Sequence, residues 1–354
     1  MNQPCHISIF NEVFTHDEIA RVAERKLQQT LSDWEHEFYL FVQEWFNGND
    51  FVEVKTSGST GQPKPIRLPK QVMQKSAERT IQYFNLKEND RLLLSLSCRY
   101  IAGKMMVVRA FAGKMNLSVV DPATDFSFLD QEKFDFGAMV PLQIGNVLEA
   151  KEGKANIENI RHLLVGGSAV SAQLENKISA LGNDVVSTYG MTETASHIAV
   201  RKLSGNNRSE NYHCLPGISI RKNEDDCLEI FAEGQDGWLT TTDLVEIISS
   251  SEFKILGRAD HVIISGGLKF YPEQIEKKLG DFISQPFMVS SEPDEKLGQK
   301  LVLVIEGKPS NELETKIQQK AEFFLTPYER PRKIIFTDQL PRNENGKIVR
   351  KFKS

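Results

Sequence analysis

The spacing of hydrophobic side chains changes several times along the chain, and each change predicts a different element. In residues 16–46 apolar side chains recur at helical spacing, which predicts one or two amphipathic helices. The stretch FVEVKTSG, which begins at Phe51, instead alternates apolar and polar positions. This alternation predicts a short strand that runs into a glycine-rich segment.

Apolar runs then alternate with a helical pattern over the following hundred or so positions. The runs that predict strands are RLLLSLS, LSVVD, KFDFGAMVP, IRHLLVGGS and DVVSTYG, and the stretch SAQLENKISALG predicts a helix between the last two. Strands that alternate with helices are typical of βαβ units. We therefore expect an α/β fold built around a largely parallel sheet.

Two later changes in the pattern predict further units. Residues 215–256 carry strand-like runs with turn signals every few positions, which predicts a β-rich subdomain. Beyond the stretch GRADHVIISGGLK, the pattern becomes helix, strand, helix, strand, as in a small α+β domain. The expected organisation is a large N-terminal α/β domain (residues 1–259) and a small C-terminal domain (residues 260–354).

Composition and charge exclude several classes of protein. Of the 354 residues, 40% are hydrophobic and 26% are charged, as in ordinary globular proteins. A net charge of −5 gives no overall basic field for nucleic acid. No signal peptide and no run of about 18 apolar residues is visible, which predicts no membrane span. The four cysteines are scattered without a CxxC pair, so we expect a reducing compartment, the cytoplasm.

The glycine-rich segment TSGSTGQPK is the first candidate for ligand chemistry. Closely spaced backbone N–H groups, hydroxyls and a lysine suit a phosphate. The second glycine comes too early for a Walker A loop. A polar turn is the alternative interpretation. The candidate residues are Thr56, Ser57, Gly58, Ser59, Thr60, Gly61 and Lys64.

Two further candidates follow predicted strands. In STYGMTET, Tyr189 offers a flat ring for a purine, and Glu193 offers a carboxylate of the kind that Mg²⁺ binds. Asp243 follows a hydroxyl-rich strand and could accept hydrogen bonds from a ribose diol. Taken alone, the first stretch could be an ordinary loop with a helix N-cap at Thr192, and Asp243 could be a turn residue.

Two charged turns complete the set. Arg258, Asp260 and Lys269 surround a glycine pair where the periodicity changes, as at a domain junction or in a plain hairpin. Lys347 follows Asn-Gly, a strong tight-turn signal, so it could reach a neighbouring site or simply face solvent.

In this order, the five motifs resemble the adenylate-forming superfamily of acyl-CoA synthetases, luciferases and peptide-synthetase adenylation domains, over roughly residues 51 to 351. The resemblance implies the adenylate-forming fold with a mobile C-terminal domain. It also implies that ATP and Mg²⁺ activate a carboxylic acid as an acyl-adenylate. The acyl group is then transferred to coenzyme A.

The resemblance assigns roles to matching positions. The glycine-rich segment would hold the pyrophosphate end of ATP. The other implied roles are adenine and α-phosphate binding (Tyr189, Gly190, Thr192), magnesium (Glu193), ribose (Asp243, Arg258), hinge (Asp260), adenylation (Lys347) and the face that replaces Lys347 in thioester formation (Gly266, Gly267). A rotating domain would let one site serve both steps.

One departure concerns the start of the chain. Members of the superfamily usually carry a long region before the glycine-rich segment, whereas only 55 residues precede it here. We therefore expect the first subdomain to be truncated or compacted. A second copy in a homo-oligomer could cover the surface that this exposes.

The stretches YGMTETASHIAV and LSCRYIAGKMMVVRAF resemble the o-succinylbenzoate–CoA ligases of menaquinone synthesis. That substrate is an aromatic dicarboxylate, and its idle ring carboxylate must be paired if it is buried. Arg109 lies in an apolar helical stretch and matches the arginine that this group uses for the ring carboxylate. Lys104 would lie about 140° away around the helix, on another face. The alternative is an arginine that reaches solvent.

Other residues are predicted near the same acid. Ser196 and His197 could line its pocket, although His197 could equally be a packed or surface histidine. The resemblance places Gly166, Gly167 and Ser168 between the acid and the nucleotide. Tyr100 stands near the position where the family usually has a histidine.

Three other functions remain compatible with these motifs. The chain could be another aryl- or acyl-CoA ligase, for which Arg109 would be dispensable. It could be an adenylation enzyme that loads a carrier protein. It could also be an inactive nucleotide-binding protein, although the charged motif positions are all present.

Overall fold

The computed structural model describes residues 6–9, 12–55, 65–342 and 348–350, and it confirms the α/β prediction. Within these residues the helices are α1 (Ile19–Lys26), α2 (Asp33–Phe46), α3 (Lys70–Phe84), α4 (Ile101–Gly113), α5 (Pro141–Glu149), α6 (Gly153–Glu158), α7 (Ala172–Ser179), α8 (Pro272–Leu279) and α9 (Asn311–Phe324). No helix of the described residues has the length and apolarity needed to cross a membrane.

The described strands form four sheets. They are β1 (His6–Ile9), β2 (Glu12–Thr15), β3 (Phe51–Lys55), β4 (Pro65–Pro69), β5 (Arg91–Leu94), β6 (Asn116–Val119), β7 (Phe134–Met139), β8 (Ile160–Val165), β9 (Asp184–Gly190), β10 (His197–Lys202), β11 (Tyr212–Cys214), β12 (Ile218–Lys222), β13 (Cys227–Ala232), β14 (Leu239–Ser249), β15 (Glu252–Arg258), β16 (Ile263–Ser265), β17 (Leu268–Phe270), β18 (Phe287–Asp294), β19 (Gly298–Glu306) and β20 (Lys333–Thr337).

The largest sheet has 13 strands, and the pairing of its strands changes from parallel to antiparallel near its centre. Its order is β12-β13-β14-β15-β11-β10-β9-β8-β7-β5-β6-β1-β2. From β9 to β1 neighbouring strands run parallel, as the alternating pattern predicts. From β10 to β12 every pairing is antiparallel, so the β-rich stretch continues the same sheet. Parallel pairing therefore holds for one half only, because short connections between strands favour antiparallel neighbours.

Helices cover the parallel half, and the core lies between them and the strands. One core cluster joins α2, α3 and α4 to the sheet, and a second joins α5 and α7 to β5, β7, β8 and β9. Helix α4 is buried continuously from Gly103 to Ala110. A helix that is buried all round is expected to be apolar, so the presence of Arg109 within it is unusual.

Residues 16–46 form two helices, and the second begins after an N-cap at Ser32. The Ser32 backbone N–H donates to Glu35 Oε2 at 3.0 Å, and the Ser32 hydroxyl donates to the same oxygen at 2.6 Å. This pairing is the capping box that starts a helix.

Residues 263–336 build a smaller core of their own. The β16–β17 hairpin and the β18-β19-β20 sheet pack with α8 and α9 around Ile275, Leu303 and Ile317. Contacts with the larger part include Lys277 Nζ, which lies 2.6 Å from Glu210 Oε1. A hinge at Asp260 and mobility of the C-terminal domain stay predictions.

Candidate active site

The loop between β9 and β10 forms the centre of the candidate site. In the antiparallel register Gly190 faces His197, and a Cβ on Gly190 would lie 2.3 Å from the Ser196 carbonyl oxygen. Only glycine fits this approach. The buried Thr194 hydroxyl lies 2.7 Å from the same carbonyl oxygen, and Ala195 has a φ of 64°. The loop is therefore folded tightly enough to fix the side chains that follow Gly190.

The strand ends on one side of this loop bring the predicted nucleotide residues together. Tyr189 Oη donates to Asp243 Oδ2 at 2.5 Å, and Asp243 Oδ1 lies 3.8 Å from Arg258 Nη1. Burial raises the pKa of Tyr189 well above its usual value, and the Asp243 carboxylate adds to this effect. Asp243 and Arg258 are cross-strand partners of β14 and β15, so the sheet register places them side by side.

Arg258 also holds the predicted hinge residue. Its Nε and Nη2 donate to the two Asp260 carboxylate oxygens at 2.9 and 3.1 Å. Burial disfavours the charged form of Asp260, but the hydrogen bonds and charge of Arg258 keep its pKa below the usual value. The arginine is thus shared between the predicted ribose residue and the residue at the domain junction.

Glu193 is half-buried on the same loop, and its backbone carbonyl accepts from Gln235 Nε2 at 3.0 Å. The described residues contain no group of three or more His, Cys, Asp or Glu side chains arranged for a metal ion. Mg²⁺ is usually bound by one or two carboxylates together with substrate phosphates and water. A single glutamate beside the predicted nucleotide residues therefore fits this metal. Thr192 is half-buried, and its carbonyl accepts from the Ala195 N–H at 2.9 Å.

On the other side of the loop, α4 directs Arg109 into the protein interior. Arg109 is 2% exposed, which excludes the solvent-reaching alternative. Its Nη2 donates to Ser196 Oγ at 2.6 Å, and its Nε has no hydrogen-bond partner. Among the described residues no carboxylate forms an ion pair with it, whereas Lys104 on another face of α4 lies 3.2 Å from Glu44. Burial alone lowers the pKa of Arg109.

His197 links α4 to α3. Its Nδ1 lies 3.4 Å from Arg109 Nη2, and its Nε2 lies 3.4 Å from Thr80 Oγ1. Arginine can only donate, so we assign Nδ1 as the acceptor and place the proton on Nε2. Burial lowers the pKa of His197 well below its usual value, and Arg109 and Arg79 lower it further. The surface alternative is excluded, since His197 is 6% exposed.

The predicted glycines lie at two other places. At the carboxyl end of β8, a Cβ on Gly166 would lie 2.3 Å from Thr188 Oγ1, and Gly167 has a φ of 85°. Gly167 and Ser168 are exposed, and no hydrogen bond between described residues joins the segment to Arg109. Gly266 and Gly267 form the turn between β16 and β17, with φ values of 57° and 82°.

Eight predicted residues lie outside the described residues. They are Thr56, Ser57, Gly58, Ser59, Thr60, Gly61, Lys64 and Lys347. The strands on either side of the segment are described, and β3 pairs with β4 in antiparallel orientation.

Sequence reasoning missed a buried polar face on α3. Ser76, Arg79 and Thr80 are 0%, 6% and 0% exposed. A signal existed, because Ser76 and Thr80 stand in register with the apolar Val72 and Phe84 at intervals of four residues. Polar residues inside an apolar helical stripe indicate a buried polar contact.

Comparison with known families and structures agrees with this architecture. Residues 43–241 match the family described as AMP-binding enzyme, and residues 287–347 match the AMP-binding enzyme C-terminal domain. A solved acyl-CoA synthetase (AMP-forming)/AMP-acid ligase II-like protein from Dyadobacter fermentans is 36% identical, with a TM-score of 0.62 over 93% of this chain and 95% of that one.

Curated relatives are CoA ligases. A 2-succinylbenzoate–CoA ligase of Lactococcus lactis is 28% identical over 85% of this chain and 70% of its own length. An indoleacetate–CoA ligase of Aromatoleum aromaticum is 26% identical over 83% of this chain, which spans 64% of that protein.

A solved o-succinylbenzoate–CoA synthetase from Bacillus subtilis shares the fold. It has a TM-score of 0.71 and 23% identity over 84% of this chain and 67% of that one. The resemblance to this group and to AMP-forming acid–thiol ligases is confirmed. The chain belongs to the AMP-binding enzyme family of the adenylate-forming superfamily.

Proposed function

We propose that this protein joins an aromatic dicarboxylic acid, o-succinylbenzoate, to coenzyme A through an acyl-adenylate. The observation that carries the proposal is Arg109, a buried guanidinium without a carboxylate partner among the described residues. The 2-succinylbenzoate–CoA ligases of Lactococcus lactis and Bacillus cereus, at 28% and 26% identity, support the same acid.

The cost of burying Arg109 supports an anionic ligand. An unpaired charge in a protein interior costs several kcal/mol even after relaxation. A carboxylate can accept two parallel N–H···O bonds from a guanidinium, which offsets that cost. Arg109 uses Nη2 for Ser196 and leaves Nε without a partner, so donors remain for such a carboxylate.

The nucleotide side suits the first half-reaction. A carboxylate oxygen of the succinyl chain would attack the α-phosphorus of ATP, and pyrophosphate would leave. Asp243 and Arg258 would hold the ribose, Tyr189 the adenine, and Glu193 the Mg²⁺ that neutralises phosphate charge. The Asp243 oxygen that accepts from Tyr189 has a second lone pair, which a ribose hydroxyl could use.

The second half-reaction would transfer the acyl group. The coenzyme A thiol would attack the carbonyl carbon of the adenylate, and AMP would leave. We propose that residues 260–354 rotate at Asp260 between the two steps, with Lys347 serving the first and the Gly266–Gly267 turn the second. Rotation there would have to rearrange the Arg258–Asp260 pair.

The test is coenzyme A thioester formation from o-succinylbenzoate, ATP and Mg²⁺. We expect the wild type to prefer this diacid to 4-oxo-4-phenylbutanoate, which lacks the ring carboxylate. Arg109→Ala should lose about 100-fold in kcat/KM for the diacid, the value of a buried charged hydrogen bond, and little for the monoacid. Lys104→Ala on the same helix is the matched control, because Lys104 pairs with Glu44.

Other outcomes would contradict the proposal. If the wild type used benzoate or a fatty acid and not the diacid, it would be a different acyl- or aryl-CoA ligase. Pyrophosphate exchange with the diacid but no thioester would indicate a carrier-loading enzyme. No exchange with any acid would indicate an inactive nucleotide-binding protein.

A further inference from the structure

A line of buried hydrogen bonds runs from α4 to α3 through the His197 ring. Arg109 Nη2 lies 2.6 Å from Ser196 Oγ and 3.4 Å from His197 Nδ1, and Ser196 Oγ lies 3.2 Å from the same ring nitrogen. On the other side of the ring, His197 Nε2 lies 3.4 Å from Thr80 Oγ1, which lies 3.1 Å from the Ser76 carbonyl oxygen. Thr80, Arg109 and His197 are at most 6% exposed, so protein groups rather than solvent must be their partners.

The two ends of this line fix the position of each proton along it. An arginine can only donate, and a carbonyl oxygen can only accept. At one end Arg109 donates to Ser196 Oγ, which leaves the Ser196 hydroxyl proton for His197 Nδ1. At the other end the single Thr80 hydroxyl proton goes to the Ser76 carbonyl, so Thr80 Oγ1 accepts from His197 Nε2. Both ends therefore require the same neutral tautomer, with the proton on Nε2 and the lone pair on Nδ1.

This tautomer decides how Arg109 is presented to a ligand. Ser196 Oγ and His197 Nδ1 are both acceptors for Nη2. The guanidinium is planar, so holding Nη2 also fixes the direction of the unpaired Nε–H. The opposite tautomer would place an N–H of His197 against an N–H of Arg109, and two donors cannot share a hydrogen bond.

We propose that Thr80 is a positioning residue for the acid site: by accepting the Nε2 proton of His197, it keeps Nδ1 as an acceptor that orients Arg109 towards the substrate carboxylate. This inference rests on the proposed function. Without the Thr80 oxygen, the Nε2–H would be buried without an acceptor, which is costly. The ring would then turn or carry its proton on Nδ1, and either change would take the Nδ1 lone pair away from Arg109.

The tautomer can be measured without any substrate, by ¹⁵N NMR of protein labelled at histidine. Protonated and unprotonated ring nitrogens have different ¹⁵N shifts, and His197→Gln identifies the signals of His197 among the seven histidines. We expect an unprotonated Nδ1 and a protonated Nε2 in the wild type and in Thr80→Ser, which keeps the hydroxyl. Thr80→Val keeps the shape but lacks the acceptor, so the pattern should change. A protonated Nδ1 in the wild type would overturn the inference.

The same variants are compared in thioester formation from o-succinylbenzoate and from 4-oxo-4-phenylbutanoate. We expect Thr80→Val to lower kcat/KM for the diacid about tenfold, mainly through KM, and to leave the monoacid within about twofold. Thr80→Ser should recover most of the loss. Thr315→Val is the matched control, because Thr315 Oγ1 donates to the Asn311 carbonyl at 2.8 Å on the exposed surface of α9. It should change the turnover of neither acid.

The two measurements separate this inference from its premise. If Thr80→Val leaves the tautomer and the diacid kinetics unchanged, or lowers kcat/KM equally for both acids, Thr80 is structural. The inference is then wrong, while the proposed function stands on the result for Arg109→Ala. If the wild type shows no preference for the diacid, the proposed function fails, and the positioning role fails with it even where the tautomer is as expected.

Discussion

The arginines in two regions of this protein have opposite surroundings: in one region they lack carboxylate partners, and in the other they have them. In the proposed acid pocket, Arg109 is buried beside a neutral His197 and forms no ion pair among the described residues. At the junction of the large and small parts, each arginine is matched by carboxylates. Arg350 Nη1 and Nη2 each donate to a Glu276 oxygen at 2.6 Å, and Arg350 Nε lies 3.4 Å from Glu273.

The junction forms a continuous ionic network. Glu273 also contacts His261 Nδ1 at 2.5 Å, and Asp260 contacts Arg258. Burial works against the charged form of Arg350, but the Glu276 carboxylate raises its pKa above the usual value. An arginine that is paired with carboxylates in this way stabilises one particular arrangement of the chain.

The difference indicates where a ligand belongs. A protein satisfies its own buried charges where they are structural, as at the junction. It leaves them unmatched where another molecule is to supply the opposite charge, as we propose for the pocket. The same substitution, arginine to methionine, should therefore change stability in opposite directions in the two regions.

The largest effect on stability is expected at the junction. Arg350→Met would leave the half-buried Glu276 and Glu273 side by side without their cation. We expect the free energy of unfolding to fall by about 2 kcal/mol, because removing one partner of a partly buried pair leaves the carboxylates without the charge that offsets their desolvation. Urea denaturation measures this loss. Arg350→Met combined with Glu276→Leu should recover most of it, and an unchanged stability for the single variant would contradict the comparison.

Replacing Arg109 in the proposed pocket should change the free energy of unfolding in the opposite direction. Arg109→Met would replace an unmatched buried cation by an apolar side chain of similar length. We expect the unliganded protein to become more stable by about 1–2 kcal/mol, since buried charges are often improved upon by apolar residues. The same denaturation experiment applies. A loss of stability would mean that Arg109 has a structural partner and would weaken the case for a bound carboxylate.

The neutral His197 predicts a smaller, pH-dependent effect. Its pKa is below the ordinary 6.5, so at pH below 6.5 the unfolded chain takes up a proton that the folded site does not. Stability from this group is complete above pH 6.5 and falls as the pH decreases towards the folded pKa, by about 1 kcal/mol per pH unit. His197→Gln should remove this part of the pH dependence. Parallel pH profiles for the variant and the wild type would show that His197 takes up its proton equally in the folded and unfolded states, which would contradict the lowered pKa.

The smallest effect is expected from an exposed contact between the two parts. Hydrogen bonds from Lys254 and Lys277 lower the pKa of Glu210 to about 2. Its contribution is present above the unfolded pKa near 4.5 and is lost as the pH falls towards 2. Because the site is exposed and screened, Glu210→Gln should cost at most about 0.5 kcal/mol at neutral pH and less in high salt. If Glu210→Gln lowered the free energy of unfolding by more than about 2 kcal/mol, solvent would not be screening this contact, and the prediction would be wrong.

The sequence by itself determined the local elements and the order of the motifs. Helices α1 and α2, strands β5 to β9 and helices α8 and α9 follow from periodicity, because each depends on residues close in sequence. An arginine within an apolar helical stretch is also visible in the sequence, and it predicts either a buried anionic ligand or a side chain that reaches solvent. The continuation of the sheet into the β-rich stretch was less accessible, because β11 has only three residues and the pairing of strands depends on residues that are distant in sequence.

Only the tertiary structure decided which of these residues meet. Arg109 and Ser196 are 87 positions apart, and Thr80 and His197 are 117 apart. Burial, the neutral state of His197 and the unpaired Nε of Arg109 all depend on helices and strands that are distant in sequence. Desolvation and charge pairing are properties of the packed interior, so a local pattern can predict the chemistry of a side chain but not whether the protein itself supplies its partner.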